Sequence, residues 1–154
     1  MTPPKKDTAP TAGDEFTVDM TTAKTFEPIP TDRWYLFEIS KWTKGHAKSS
    51  GAPNVSIEVT VVEPKEFEGR KITDSPVVNE PYNLGRIKTY VVQSEFQTED
   101  EVKVPSYRIP DEKDMIGLQF SSRVNIQKDE NRGDRNRITT MRPASKYAEL
   151  AAAI

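Results

Sequence analysis

The chain has 154 residues, enough for one domain with a real core and too few for two of ordinary size. Hydrophobic residues make up 34% and charged ones 30%, with 12 prolines against 7 glycines, so part of the length is expected to be tail or long loop. A net charge of -2 excludes a uniformly basic nucleic-acid binder yet leaves room for a local basic groove, while the lack of cysteine and the single histidine exclude thiolate or His-cluster metal sites and disulfide scaffolds.

No apolar run reaches the length of a membrane span, and the opening residues MTPPKKDTAPTAGDEF lack the apolar stretch of a signal peptide, so no membrane association and a cytoplasmic location are expected, the host cytoplasm if the protein is viral. Residues 1–25 are rich in Thr, Pro, Ala, Lys and Asp with few large apolar side chains, which reads as a flexible arm. The first dense apolar segment, Arg33 to Trp42, is aromatic and β-branched and reads as a strand. Strict alternation places Tyr35, Phe37, Ile39 and Lys41 on one face and Trp34, Leu36, Glu38, Ser40 and Trp42 on the other.

Thr43 to Pro53 then supplies turn formers with basic and no acidic side chains, the pattern of a mobile positive loop carrying Lys44, His46 and Lys48. Asn54 to Val62 alternates with period two, sending Val55, Ile57, Val59 and Val61 inward. After Glu63-Pro64 a turn at Phe67-Glu68-Gly69 leads into a third, antiparallel strand over Arg70 to Asp74. Between Tyr82 and Phe96, Leu84, Ile87 and Val91 fall near helical spacing, which favours a helix although the β-branched content also suits a strand. Glu95 to Asp114 is acidic and Pro-flanked, the mark of a long exposed connection.

A fourth strand is expected over Gln119 to Gln127, with Phe120, Ser122, Val124 and Ile126 on one face, and a fifth over Asn136 to Met141, joined by the polar loop Lys128 to Arg135. Ser145 to Ile154 starts with a candidate N-cap side chain and continues in helix formers, giving a short C-terminal helix. Five short strands in a 3 + 2 order with an insertion after the third match a mainly β, five-stranded OB-fold barrel spanning residues 26–144, followed by the helix at 145–154.

In that fold the ligand crosses strands two and three between the loops joining strands one to two and four to five, which here carry Lys44, His46, Lys48, Arg132 and Arg135. Lys41, Arg70, Lys71, Arg123 and Arg137 flank them on strands, and Tyr35, Phe37, Trp42 and Phe67 are rings on which bases can stack. Each has a plainer reading. Charges on a Gly/Ser loop are often only solvated, and Trp34 and Trp42 share a face, so core packing claims at least one of them. Arg132, Arg135 and Arg137 are interleaved with Asp129, Glu130 and Asp134, which can neutralise them.

Asp111, Glu112 and Asp114 have no convergent partner in the sequence, and no Gly-rich phosphate loop, nucleophile elbow or HExxH occurs, so neither an enzyme nor a cofactor or metal is expected.

Tyr35-Leu36-Phe37-Glu38-Ile39, Lys48-Ser49-Ser50-Gly51-Ala52-Pro53, Phe67-Glu68-Gly69-Arg70-Lys71-Ile72, Ile109-Pro110 with Met115-Ile116-Gly117-Leu118, and Asn136-Arg137-Ile138 together resemble the landmarks of small phage single-stranded DNA-binding proteins. The resemblance covers roughly Trp34 to Pro143 and implies an OB fold that coats single-stranded DNA in phage replication or recombination. The end Leu150-Ala151-Ala152-Ala153-Ile154 departs from the acidic tails through which many single-strand binders recruit partners. RNA is an alternative ligand, since stacking and phosphate contacts do not require a particular sugar. The alternative class is a structural β-module of a virus particle, with the N-terminal arm draped over neighbouring subunits. Self-association and contacts with replication or recombination proteins stay open in either case.

Overall fold

The computed structural model describes residues 15–22, 27–78, 80–131 and 133–153. Most of the expected N-terminal arm, and Arg132 among the expected site residues, lie outside the described residues. Five strands form a single antiparallel sheet in the order β3-β2-β1-β4-β5, with β1 at Tyr35–His46, β2 at Pro53–Glu63, β3 at Lys71–Asp74, β4 at Gln119–Gln127 and β5 at Arg135–Pro143. Helix α1 (Pro81–Gln93) follows β3, the short helices α2 (Glu99–Val102) and α3 (Glu112–Met115) lie in the connection to β4, and α4 (Tyr147–Ala152) follows β5 after a 3-10 turn. The helix expected between the third and fourth strands is therefore present. No helix among the described residues is long and apolar enough to cross a membrane.

The inward side chains of β2, Val55, Ile57, Val59 and Val61, are all buried, as their alternation predicts. In β1 the alternation breaks. Ile39 pairs with Val59 and Lys41 with Glu58, which leaves Ser40 as the extra residue of a β-bulge. Its hydroxyl donates to the Glu58 main-chain oxygen at 3.1 Å and lies 2.8 Å from the Thr60 hydroxyl, so the bulge is satisfied by its own side chain. One inserted residue reverses the facing of everything after it. Lys41 turns to solvent and Trp42 turns inward, joining Tyr35, Phe37 and Ile39 on one buried face, where strict alternation had put Trp42 opposite them. Gly117, at a positive φ of 91°, makes the turn that reaches this point, its N–H donating to the Ile39 carbonyl at 2.9 Å just before β4 begins.

The core is organised around a chain of rings. Phe67 meets Tyr35 edge-on at 6.1 Å, Tyr35 meets Phe37 at 5.8 Å, Phe37 stacks on Phe120 at 5.6 Å, Tyr90 of α1 abuts Phe120 at 5.7 Å, and Trp42 meets Tyr90 at 6.3 Å. Ile87, Tyr90 and Val91 form the buried stripe that seats α1 on the sheet.

Other expectations change in detail. The positive loop expected over Thr43 to Pro53 is in part ladder: Lys44 pairs with Val55 and His46 with Pro53, so β1 and β2 extend as a hairpin whose turn is residues 47–52. The acidic connection from Glu95 to Asp114 is not uniformly exposed. Val102 and Pro110 are buried, and a capping box between Thr98 and Glu101 starts α2. At the C-terminus Ser145 does not act as the cap; it sits in the 3-10 turn Ala144–Lys146, and α4 starts at Tyr147. Ile29, upstream of the first expected apolar segment, is also buried.

Candidate functional site

Strands β3 and β5 are the two edges of the sheet, and no ladder joins them among the described residues, so the sheet is not closed. They nevertheless approach each other, and between them lies a cleft of about 610 Å³ lined by Arg70, Lys71, Asp74, Arg135, Asn136 and Arg137 among others. Local sequence explains the aim of these cations. Ile72 is buried, so its neighbour Lys71 faces solvent; Arg135 and Arg137 are likewise exposed on β5, two residues apart and so on one face. None of the acidic side chains between Glu95 and Asp114 lines the cleft.

The carboxylates of the cleft are largely engaged. Asp74 pairs with the Arg86 guanidinium and accepts the Tyr90 hydroxyl at 2.9 Å, joining β3 to α1, and Asp134 pairs with Lys128 at 3.3 Å. Burial, followed by the adjacent Asp74 carboxylate, holds the Tyr90 phenol well above its ordinary pKa, so it stays a donor. Arg70 donates to the Glu27 main-chain oxygen, and Lys71 lies 3.9 Å from Glu58. The side chains of Arg135 and Arg137, by contrast, have no hydrogen-bonded or ion-paired partner among the described residues. The acidic neighbours expected to neutralise them do not do so.

Asn136 sits between these two arginines and works inward. Its side-chain oxygen accepts the Ile29 N–H at 2.7 Å while its amide nitrogen donates to the Ile29 carbonyl at 3.0 Å, the hydrogen bonds a neighbouring strand would have supplied. Arg123 serves the same entering segment by donating to the Thr31 carbonyl at 3.2 Å. Both hold the entering segment along the sheet, Asn136 from the wall of the cleft and Arg123 from outside it.

The remaining expected site residues lie elsewhere. His46 and Lys48 are exposed at the end of the hairpin and Lys41 is exposed on β1. Lys44 is ion-paired with Asp111 at 2.6 Å and donates to the Ile109 carbonyl at 3.2 Å. That lysine, and Arg108 at 2.9 Å, hold the Asp111 carboxyl below its ordinary range. Tyr35, Phe37 and Trp42 are fully buried, which corrects their assignment as stacking platforms, because a ring with no open face cannot take a base. The Tyr35 hydroxyl donates to the Pro30 carbonyl at 2.6 Å, burial pushing its pKa up to about 12, and the Trp42 indole N–H donates to the Pro110 carbonyl at 2.9 Å. Phe67 is half-buried, with the Arg33 guanidinium 5.4 Å from its centroid.

Sequence reasoning found the cleft cations but missed Asp74, Arg86 and Tyr90, whose association spans a strand and a helix and leaves no local pattern. Among the described residues no group of His, Asp and Glu side chains is placed to hold a metal ion. No family model matches the chain, and no curated protein is significantly similar to it.

Proposed function

We propose that this protein is an OB-fold module that binds single-stranded DNA without strong sequence preference, coating and protecting exposed strands in phage-type DNA replication or recombination. The observation that carries the reading is the cleft between β3 and β5, where Arg135 and Arg137 stand unpaired beside Arg70 and Lys71. Unpaired guanidiniums side by side repel one another and are held only weakly by solvent; a polyanion passing through the cleft neutralises them while releasing its own counterions. The strand order, with β3 and β5 brought face to face, supports a five-stranded barrel left open at one seam, and in an OB barrel the β4/β5 loop borders the ligand path. The acidic side chains of residues 95–114 lie off the cleft, which explains how a chain of net charge -2 can offer a positive surface. Because the cations address phosphates rather than base edges, recognition is of the strand and not of its sequence.

The test is fluorescence anisotropy of labelled oligo-dT, with the same length of duplex and of oligo-U in parallel, at low and at moderate salt. Salt-sensitive binding that favours the single DNA strand is the expected result. Absence of binding at low salt overturns the proposal and leaves a structural module of a particle as the better reading; preference for oligo-U moves the ligand to RNA.

A further inference from the structure

Non-specific single-strand binders combine cations for the backbone with rings for the bases, yet no aromatic side chain among the described residues lines this cleft, and Tyr35, Phe37 and Trp42 are consumed by the core. Among the described residues, two rings are more than four-fifths exposed: Phe16, upstream of the sheet, and Tyr82, in the first turn of α1.

The position of Tyr82 follows from helix geometry. Tyr82, Arg86 and Tyr90 are spaced by four and form one ridge along α1. The inner two members of that ridge both end on Asp74, a cleft residue: Tyr90 through its hydroxyl at 2.9 Å and Arg86 through its guanidinium. The ridge therefore meets the cleft at Asp74, and Tyr82 continues it outward by one turn, about 6 Å further along the axis.

Two features leave that ring available. Tyr82 is 87% exposed, and the residue three places on, Gly85, carries no side chain and has open space where a Cβ would stand. Glycine inside an exposed helix is unfavourable relative to alanine, so its presence there is not explained by helix stability. The tyrosine is carried on a helix anchored by its buried stripe and by the Asp74 pair, so stacking costs the ordering of only two side-chain torsions.

From this arrangement we infer that Tyr82 is a base-stacking residue at the α1 end of the cleft, taking a nucleobase of a single strand whose phosphates are held by Arg137 and Arg135. The inference rests on the single-strand-binding reading given above and adds to it the ring that the cleft itself lacks. Arg86, tied to Asp74, keeps the helix at the cleft rim and is a positioning residue.

The experiment pairs two readouts on the full chain. Oligo-dT carrying 5-iododeoxyuridine is photo-crosslinked and the labelled peptide sequenced, and Tyr82→Ala, Tyr82→Phe and Tyr82→Trp are titrated with oligo-dT across a salt series. The crosslink is expected on Tyr82. Tyr82→Ala is expected to bind ~5- to ~150-fold more weakly, with an unchanged slope of log K against log salt because the ring neutralises no phosphate. Tyr82→Phe and Tyr82→Trp should retain binding, and thermal unfolding of all three should match the parent, since the ring packs on nothing. If the parent binds while Tyr82→Ala binds equally well and the crosslink falls elsewhere, the role of Tyr82 is overturned and the cleft reading stands. If the parent itself does not bind at low salt, both fall together.

Discussion

Replacing Trp42 with phenylalanine separates a ring that holds the fold from a ring that holds a ligand. The indole is fully buried, and its N–H donates to the carbonyl of buried Pro110 at 2.9 Å. Phenylalanine keeps the edge contact with Tyr90 but removes the donor, leaving a dry carbonyl at a cost of about 1–3 kcal/mol. The missing part of the indole leaves a void of roughly 40 Å³, worth about 1 kcal/mol at ~24 cal/mol per Å³. The expected loss is therefore about 2–4 kcal/mol, a large share of a stability of order 5–15 kcal/mol. Urea unfolding followed by far-UV circular dichroism should show the midpoint falling by about 1–2 M for a slope near 2 kcal/mol per M. Oligo-dT affinity, measured without denaturant, should be unchanged for the folded variant, and DNA should not quench Trp42 by stacking. A variant with the parent's midpoint and tenfold weaker binding would refute the burial argument and return Trp42 to the binding surface.

Arg135→Ala and Arg137→Ala should each reduce the slope of log K against log salt for oligo-dT by about 0.7 for every phosphate that the arginine neutralises; a slope that does not move would exclude that arginine from the path of the strand. Asn136→Ala strips the Ile29 N–H and C=O of their partners, so a loss of about 1–3 kcal/mol is expected together with faster hydrogen exchange at the Ile29 amide; exchange as slow as in the parent would show that another group holds the segment. Gly85→Ala, in a helical conformation with open space around it, should raise stability by about 1 kcal/mol, read from the thermal midpoint, and a fall would mean that the glycine is needed structurally. Burial holds the phenols of Tyr90 and Tyr35 above their ordinary value, Tyr35 at about 12, whereas the unfolded chain releases these protons near 10. The unfolded state then binds fewer protons, so stability is full below pH 10 and falls as pH rises from 10 toward 12, and the Tyr35→Phe/Tyr90→Phe variant should flatten this decline. An equally steep decline in that variant would assign the alkaline loss to other groups.

Cation positions were more legible than ring positions. Lys71 and Arg137 are exposed beside the inward-facing apolar residues Ile72 and Ile138, and Arg135 lies two places before Arg137 on the same face, so a period-two pattern is enough to place them. Trp42 was misplaced by the same rule, because one extra residue at Ser40 inverts the pattern and nothing near Ser40 announces it. The hairpin was missed for a related reason. Thr43 to Pro53 taken together is rich in turn formers, and only pairing with Pro53 to Ser56 across the ladder makes its first four residues strand.

Features readable from the residues alone are local: the β2 alternation, the turn at Gly69, the start of β4 at Gln119, the helix at the third junction, and the stock of cations at the two seam strands. These follow from steric preferences and side-chain periods within a few residues. Which rings face inward, which arginines are parted from their acidic neighbours, and that α1 closes on Asp74 were settled only by the packed chain. Each of these is a relation between segments tens of residues apart, and its energy exists only once burial and register have brought the groups together.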